Sequence, residues 1–211
     1  MWKSTPDGGP ERLLALADGV YAIAITLLVL DLSVPRGLSS SEYRDALSEL
    51  LPNLGAYGLS LWVLGEYWRG HRSIFRSVRQ VDAQVIGLSV LGLGVAALVP
   101  FPTKLVAEYA TEPASVAIYA AAVAALGATH LALLLVLARR PWLRGEPTPE
   151  PAPAPGTTLY AVDLGSTVVI FLLTIPLALT FGSVAMLWWL VMIPTKIVIG
   201  RWGRATTGTT G

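Results

Sequence analysis

Apolar residues along this chain fall into long, nearly unbroken runs, without the short alternations of a soluble sheet. Six runs stand out, near 13–34, 51–68, 85–99, 115–138, 158–181 and 184–199. A helix needs roughly 20 mostly apolar residues to cross the ~30 Å hydrocarbon core of a bilayer. A spanning segment must also satisfy its backbone groups internally, which favours helices. The pattern predicts an all-α polytopic membrane protein. Its six transmembrane helices are expected near 11–34, 51–74, 81–99, 115–138, 158–181 and 184–201, in a single domain over 1–204. The third is the shortest and is expected to end at Pro100-Phe101-Pro102, and Gly182-Ser183 predicts a tight turn between the fifth and sixth. Period-2 alternation of a membrane barrel is absent. Residues 39–50 are mixed polar and fit a short surface helix. The 141–157 segment, in which proline alternates with small or acidic residues, reads as an extended cytoplasmic linker. The 205–211 stretch reads as a disordered tail.

Charge placement orients these spans. With the N-terminus inside, twelve of the fifteen Lys and Arg residues fall on inside segments and three (Arg36, Arg44, Lys104) on outside loops. Cytoplasmic loops carry the excess of Lys and Arg, so both termini are expected in the cytoplasm. An odd number of spans would break the asymmetry. The first span is too long for a secretory leader and lacks a small-residue cleavage pattern.

Composition narrows the chemistry. Charged residues make up 14% of the chain, against about a quarter in soluble domains, and mean hydropathy is +0.60. There is no cysteine, so disulfides, thiolate metal sites and cysteine nucleophiles are excluded. With only His71 and His130, a histidine-rich metal site is not expected. No basic nucleic-acid patch, Gly-rich phosphate loop or constellation of polar catalytic groups is visible, so neither an enzyme nor a bound cofactor or metal is expected.

The first span carries the most information. Leu16, Gly19, Ile23, Leu27, Leu30 and Val34 recur at helical spacing and share one face, with Asp18, Ala22, Ile25 and Val29 on another and Thr26 beside the Ile23–Leu30 stripe. Asp18 lies one to two turns inside the membrane, where a lone carboxylate is costly; Arg12, of the same chain or of a neighbouring subunit, is its expected partner. Asp31 is expected near the outer end. Ile23, Leu27 and Leu30 are either ordinary packing residues or the lining of a narrow pore that gates by excluding water, and spacing alone leaves both readings open.

The segment Arg12…Leu16-Ala17-Asp18-Gly19-Val20-Tyr21-Ala22-Ile23-Ala24-Ile25-Thr26-Leu27-Leu28-Val29-Leu30 resembles the signature of the prokaryotic transmembrane protein 175 family, the family of the lysosomal potassium channel. Trp68-Arg69-Gly70-His71 and Pro100-Phe101-Pro102-Thr103 match it in style. The resemblance implies a homotetramer in the cell membrane, six helices per subunit, with the first helix of each lining a central potassium-permeable pore. It assigns the hydrophobic constriction to Ile23, Leu27 and Leu30, and ion selectivity to Thr26. It assigns a structural polar network to Arg12, Asp18, Trp68 and His71. Partners are then further copies of the chain, potassium ions and membrane lipid. The chain departs from the signature at Leu16 and Ala17, where phenylalanine and serine are expected, and at Tyr21, whose hydroxyl needs a partner. A Thr-Val-Gly-Tyr-Gly filter is absent, so selectivity from rings of backbone carbonyls is not expected.

Other residues have simpler readings. His130 fits a satisfied packing histidine, Glu66 a solvated carboxylate, and Asp163 an acid at the N-terminus of the fifth helix. Ala117, Ala121, Ala125, Gly55 and Gly58 are small residues of the kind that lets helices approach, and Trp62, Trp142, Trp188 and Trp189 fit interface anchors. The competing function is a proton-coupled transporter using Asp18 and His71, although no inverted repeat accompanies it.

Overall fold

A computed structural model describes residues 9–143 and 155–207. The elements in chain order are α1 (Glu11–Leu28), α2 (Ser40–Phe75), α3 (Ala83–Leu98), α4 (Pro100–Glu108), α5 (Pro113–Ala138), α6 (Pro155–Phe181) and α7 (Met192–Thr207), with 3-10 turns at Val29–Asp31, Pro141–Leu143 and Gly182–Val191. The described residues are all-helical. Three stretches are long and apolar enough to cross a membrane: Ala83–Glu108, Pro113–Ala138 and Tyr160–Ile199.

Several boundaries differ from those read in the sequence. The first α-helix ends at Leu28, tightens into one 3-10 turn and stops before Pro35, so Val34 lies beyond it; the residue before a proline disfavours helix. Residues 39–50 are not a separate surface helix but the start of α2, which runs on through Pro52. Ser39 caps it in a reciprocal box with Glu42: Ser39 N–H donates to the Glu42 carboxylate at 2.8 Å while the Ser39 hydroxyl accepts from Glu42 N–H.

The third helix ends at Leu98, just before Pro100 as expected, but the chain turns helical again at once. The missing N–H of Pro100 suits a first helical position, and α4 follows α3 after the single residue Val99. Together they make a 26-residue apolar run, about 39 Å at helical rise. The linker 141–157 begins with the 3-10 turn, and its residues 144–154 lie outside the described residues; of the tail, residues 205–207 belong to α7 and 208–211 lie outside.

The Tyr160–Ile199 run is 40 residues, about twice what one crossing needs. It doubles back. Thr174 meets Trp189 through an indole N–H bond of 3.2 Å, and Asp163 pairs with Lys196. The reversal falls at Gly182, whose φ of +64° only glycine adopts without strain. Asp163 therefore does not open a helix, as α6 begins eight residues earlier.

α5 is central, packing along α6 and α3 and touching α2 and α4. It has no charged residue between Pro113 and Ala138, in keeping with a helix buried on several sides. Of the small residues expected to let helices approach, Ala117 packs beside Ala178 and Ala185, and the closest approaches are at Gly127 and Gly70: a Cβ on Gly127 would lie 2.5 Å from Val168 and 2.8 Å from the Tyr67 hydroxyl. Ala121, Ala125, Gly55 and Gly58 are exposed. Trp189 is no free anchor either. It packs with Tyr119 and Phe171 at ring separations of 5.2 and 5.7 Å.

Asp82 is fully buried at the start of α3. It accepts from Gln84 and Val85 N–H at 3.1 and 3.0 Å and pairs with Arg140 at the end of α5. Arg79 and Gln80 N–H both donate to the Leu143 carbonyl, closing the same junction.

Asp82→Ala removes a cap and strands Arg140. It should cost about 2–4 kcal/mol, since Arg140 keeps some contact with solvent, whereas Asp82→Asn keeps a capping oxygen and should cost less. Equilibrium denaturation in mixed micelles checks the order. Hydrogen bonds from Ser39, the side chain first and then the backbone, hold the Glu42 carboxylate below its usual range. Stability from a depressed acid is present above its unfolded value and lost as pH falls through the folded one. Amide protection at 42–46 should therefore drop on acidification, and Glu42→Gln should flatten that dependence.

Candidate pore-lining face

α1 packs against α2 and α3 on one side. Leu13, Ala17, Tyr21, Ala24 and Leu28 fill that side and are buried. The opposite side is uncovered. Leu16, Ile23, Leu27 and Leu30 are 49%, 61%, 42% and 70% exposed, and Arg12, Gly19, Ala22, Thr26 and Val29 are exposed with them. The spacing had put Ala22 and Val29 on a different face; the uncovered arc is wide enough to include both. Exposed residues on α6 and the returning segment, such as Val169, Leu172, Leu173, Leu187 and Leu190, form an apolar surface suited to lipid. The α1 face carries Thr26 and Arg12 among its apolar side chains; an exposed threonine, Thr180, also occurs on α6.

Thr26 Oγ1 donates its hydrogen to the Ile23 carbonyl at 2.9 Å. That bond uses the donor and leaves the oxygen lone pairs free to accept. Asp31 closes the 3-10 turn, and its side chain lies outside the described residues.

Only part of the expected polar network is brought together. Trp68 Nε1 donates to Asp18 Oδ1 at 2.8 Å. Within the chain the cation beside Asp18 is Arg72, whose guanidinium lies 3.6 Å from Oδ2 and stacks over the Trp68 ring at 5.3 Å. Arg12 is exposed and pairs with no described residue. The reason is geometric: Arg12 and Asp18 are six residues apart and point away from each other on one helix, whereas Trp68 and Arg72 are one turn apart on α2. That i, i+4 spacing was the available signal.

His71 is buried and joins a different group. Its ring lies 4.9 Å from Phe75 and 5.6 Å from His130, and Nε2 has no described partner. His130 Nδ1 meets the Leu126 carbonyl at 3.0 Å, and its Nε2 lies 3.5 Å from the Tyr21 hydroxyl. This supplies the partner that Tyr21 needs. Glu66 is not simply solvated but pairs with Arg69, and it lines a small crevice with Tyr67, Tyr160, Asp163 and Lys196. No group of three or more metal-ligating side chains occurs among the described residues.

A sequence profile described as the endosomal/lysosomal potassium channel TMEM175 matches residues 12–100, which include α1, Trp68 and Arg72. A potassium channel of Streptomyces collinus is 34% identical over 197 residues, spanning 88% of this chain and 95% of that one. The chain belongs to the TMEM175 family. The crystal structure of a homologue, from Chamaesiphon minutus, of the lysosomal potassium-selective channel TMEM175 superposes with a TM-score of 0.70 at 26% identity. It covers 92% of this chain and 97% of that one. The vertebrate TMEM175 of Gallus gallus, named an endosomal/lysosomal proton channel, is 36% identical over 110 residues, which are 48% of this chain and 22% of that protein. TMEM175 is a family of ion channels and not of enzymes, and its member here is a multi-pass membrane protein.

Trp68→Phe should cost about 1 kcal/mol, below the usual value for a charged hydrogen bond because Asp18 is partly solvated. A double-mutant cycle with Asp18→Asn, read by denaturation in mixed micelles, should return a coupling of similar size; a value near zero would mean the bond contributes nothing.

Proposed function

We propose that this TMEM175 member is a potassium-permeable channel in which four copies place α1 around a central pore. The single observation that carries the reading is the uncovered α1 face, on which Ile23, Thr26, Leu27 and Leu30 stand clear of the rest of their own chain. One such face per subunit cannot enclose a passage, so assembly follows from geometry. Relatives named potassium channels, including one matched over nearly its whole length, support potassium as the permeant ion. Each subunit would cross the membrane six times, through α1, the later part of α2, α3 with α4, α5, α6, and the returning 3-10 segment with α7. Both termini would be cytoplasmic, in the cell membrane.

The mechanism follows from side-chain chemistry. Rings of Ile23, Leu27 and Leu30 form a narrow apolar constriction, which resists wetting when tight. A potassium ion passing it sheds part of its water. A ring of Thr26 oxygens, their hydrogens already committed to the helix backbone, replaces some of that hydration. Asp31 at the outer mouth raises the local cation concentration. Asp18, Trp68 and Arg72 lock α1 to α2 below the constriction, with Arg12 at the cytoplasmic entrance and His71 packed behind Tyr21. The proton-relay alternative through Asp18 and His71 has no hydrogen bond between the two among the described residues: Asp18 accepts from Trp68, and His71 packs its ring beside Phe75 and His130.

Protein reconstituted in liposomes with a potassium gradient should pass potassium down that gradient faster than sodium. Ile23→Asn, which widens and wets the constriction, should raise flux or reduce the potassium preference severalfold. Absence of passive flux from folded, assembled protein would sink the channel reading. Flux unchanged by Ile23→Asn would remove Ile23 from the constriction.

A further inference from the structure

The end of the bundle where α2 and α5 finish and α3 begins has a consistent charge economy. Among its described acids, Asp18 is matched by Arg72, Glu66 by Arg69, Asp82 by Arg140 and Asp163 by Lys196. Glu11 is the remaining described acid and adjoins Arg12 in sequence. Of the exposed arginines left over at this end, Arg12, Arg76, Arg79, Arg139 and Arg201, the three at the junction of α2, α3 and α5 are Arg76, Arg79 and Arg139. All three are exposed, and none pairs with a described acid. The backbone that carries these arginines is tied into a junction between helices. The Leu143 carbonyl accepts from Arg79 and Gln80 N–H at 2.9 and 3.2 Å, tying the segment after α2 to the end of α5. Arg139 stands beside Arg140, which the buried Asp82 anchors. Val78, Val81 and Leu143 pack underneath as buried apolar residues. Trp142 lies in the same junction and is 56% exposed.

We propose that this face binds the headgroups of anionic phospholipid in the adjoining leaflet, through Arg76, Arg79 and Arg139 with Trp142 at the headgroup level. The general bias of basic residues to one side of a membrane accounts for their presence there. It does not account for three of them being unmatched on a hydrogen-bonded, buried-backed junction while every acid deeper in the same end has its own cation. Guanidinium is a planar fork suited to phosphate oxygens, basic clusters at the end of a spanning helix attract anionic lipid, and an exposed indole is favoured at that depth. The inference rests on the membrane-spanning reading and not on conduction, so its test reads lipid binding and not flux.

Detergent-purified full-length protein is titrated with phosphatidylglycerol or phosphatidylcholine, following thermal unfolding and retained lipid by native mass spectrometry. Wild type should retain phosphatidylglycerol in preference, and 0.5 M salt should erase most of the preference, because exposed charges are screened. Each of Arg76→Gln, Arg79→Gln and Arg139→Gln should lower the preference about fivefold, with unfolding in phosphatidylcholine unchanged. Arg44→Gln, at the opposite end of α2, should leave it intact. Equal retention of the two lipids by wild type, or a preference that survives all three substitutions, would overturn the proposal. The wild-type comparison and its salt dependence decide the matter even if a variant fails to fold.

Discussion

A carboxylate set beside hydrocarbon must be matched by a cation or a strong donor, and the arrangement of this chain follows from how that requirement is met. Asp18 takes Trp68 and Arg72, which sets α1 against the end of α2. Asp82 takes Arg140, which joins the start of α3 to the end of α5. Asp163 takes Lys196, which fixes the register of the α6 hairpin. Each pair is polar, directional and placed where sliding by one turn would leave a charge unmatched. Apolar packing between these helices is extensive but permissive, since Leu, Val and Ala side chains interdigitate in several registers. The ion pairs choose among them.

Once α1 is held in this register, the buried row of Leu13, Ala17, Tyr21, Ala24 and Leu28 faces its own chain. Ile23, Thr26, Leu27 and Leu30 necessarily face away. The pore-lining role proposed for them is thus tied to a bond several turns below, between Asp18 and Trp68. Tyr21 strengthens the same orientation, because its hydroxyl reaches His130 across the interior. Ala17 is fully buried where the family signature has serine.

A second consequence concerns the ends of the bundle. Matching the inner acids consumes four cations and leaves arginines at the rim, where water and lipid phosphate are the available partners. Burial of Val78, Val81 and Leu143 under this rim makes it a fixed surface and not a loose loop. The apolar lateral surface, the polar junction and the uncovered α1 face therefore meet three different environments: lipid tails, headgroups and the proposed pore.

Much was legible in the order of residues. Long apolar runs declare a membrane helix bundle because hydrocarbon admits no other backbone arrangement for them. The α1 signature led to the family, and the isolated Asp18 had to have a partner. What the order of residues did not determine was which cation that partner would be. Arg12 is nearer in sequence, but helices hold sequence neighbours apart and bring distant turns together, so Arg72 takes the place. The same reason hid the Asp82–Arg140 and Asp163–Lys196 pairs, each linking residues more than thirty apart. Proline at position 100 marked the end of α3, but not that its missing N–H equally begins a new helix. Hydrophobicity by itself states that a side chain avoids water; whether it then meets a neighbour, a lipid or a pore is set only when the helices pack.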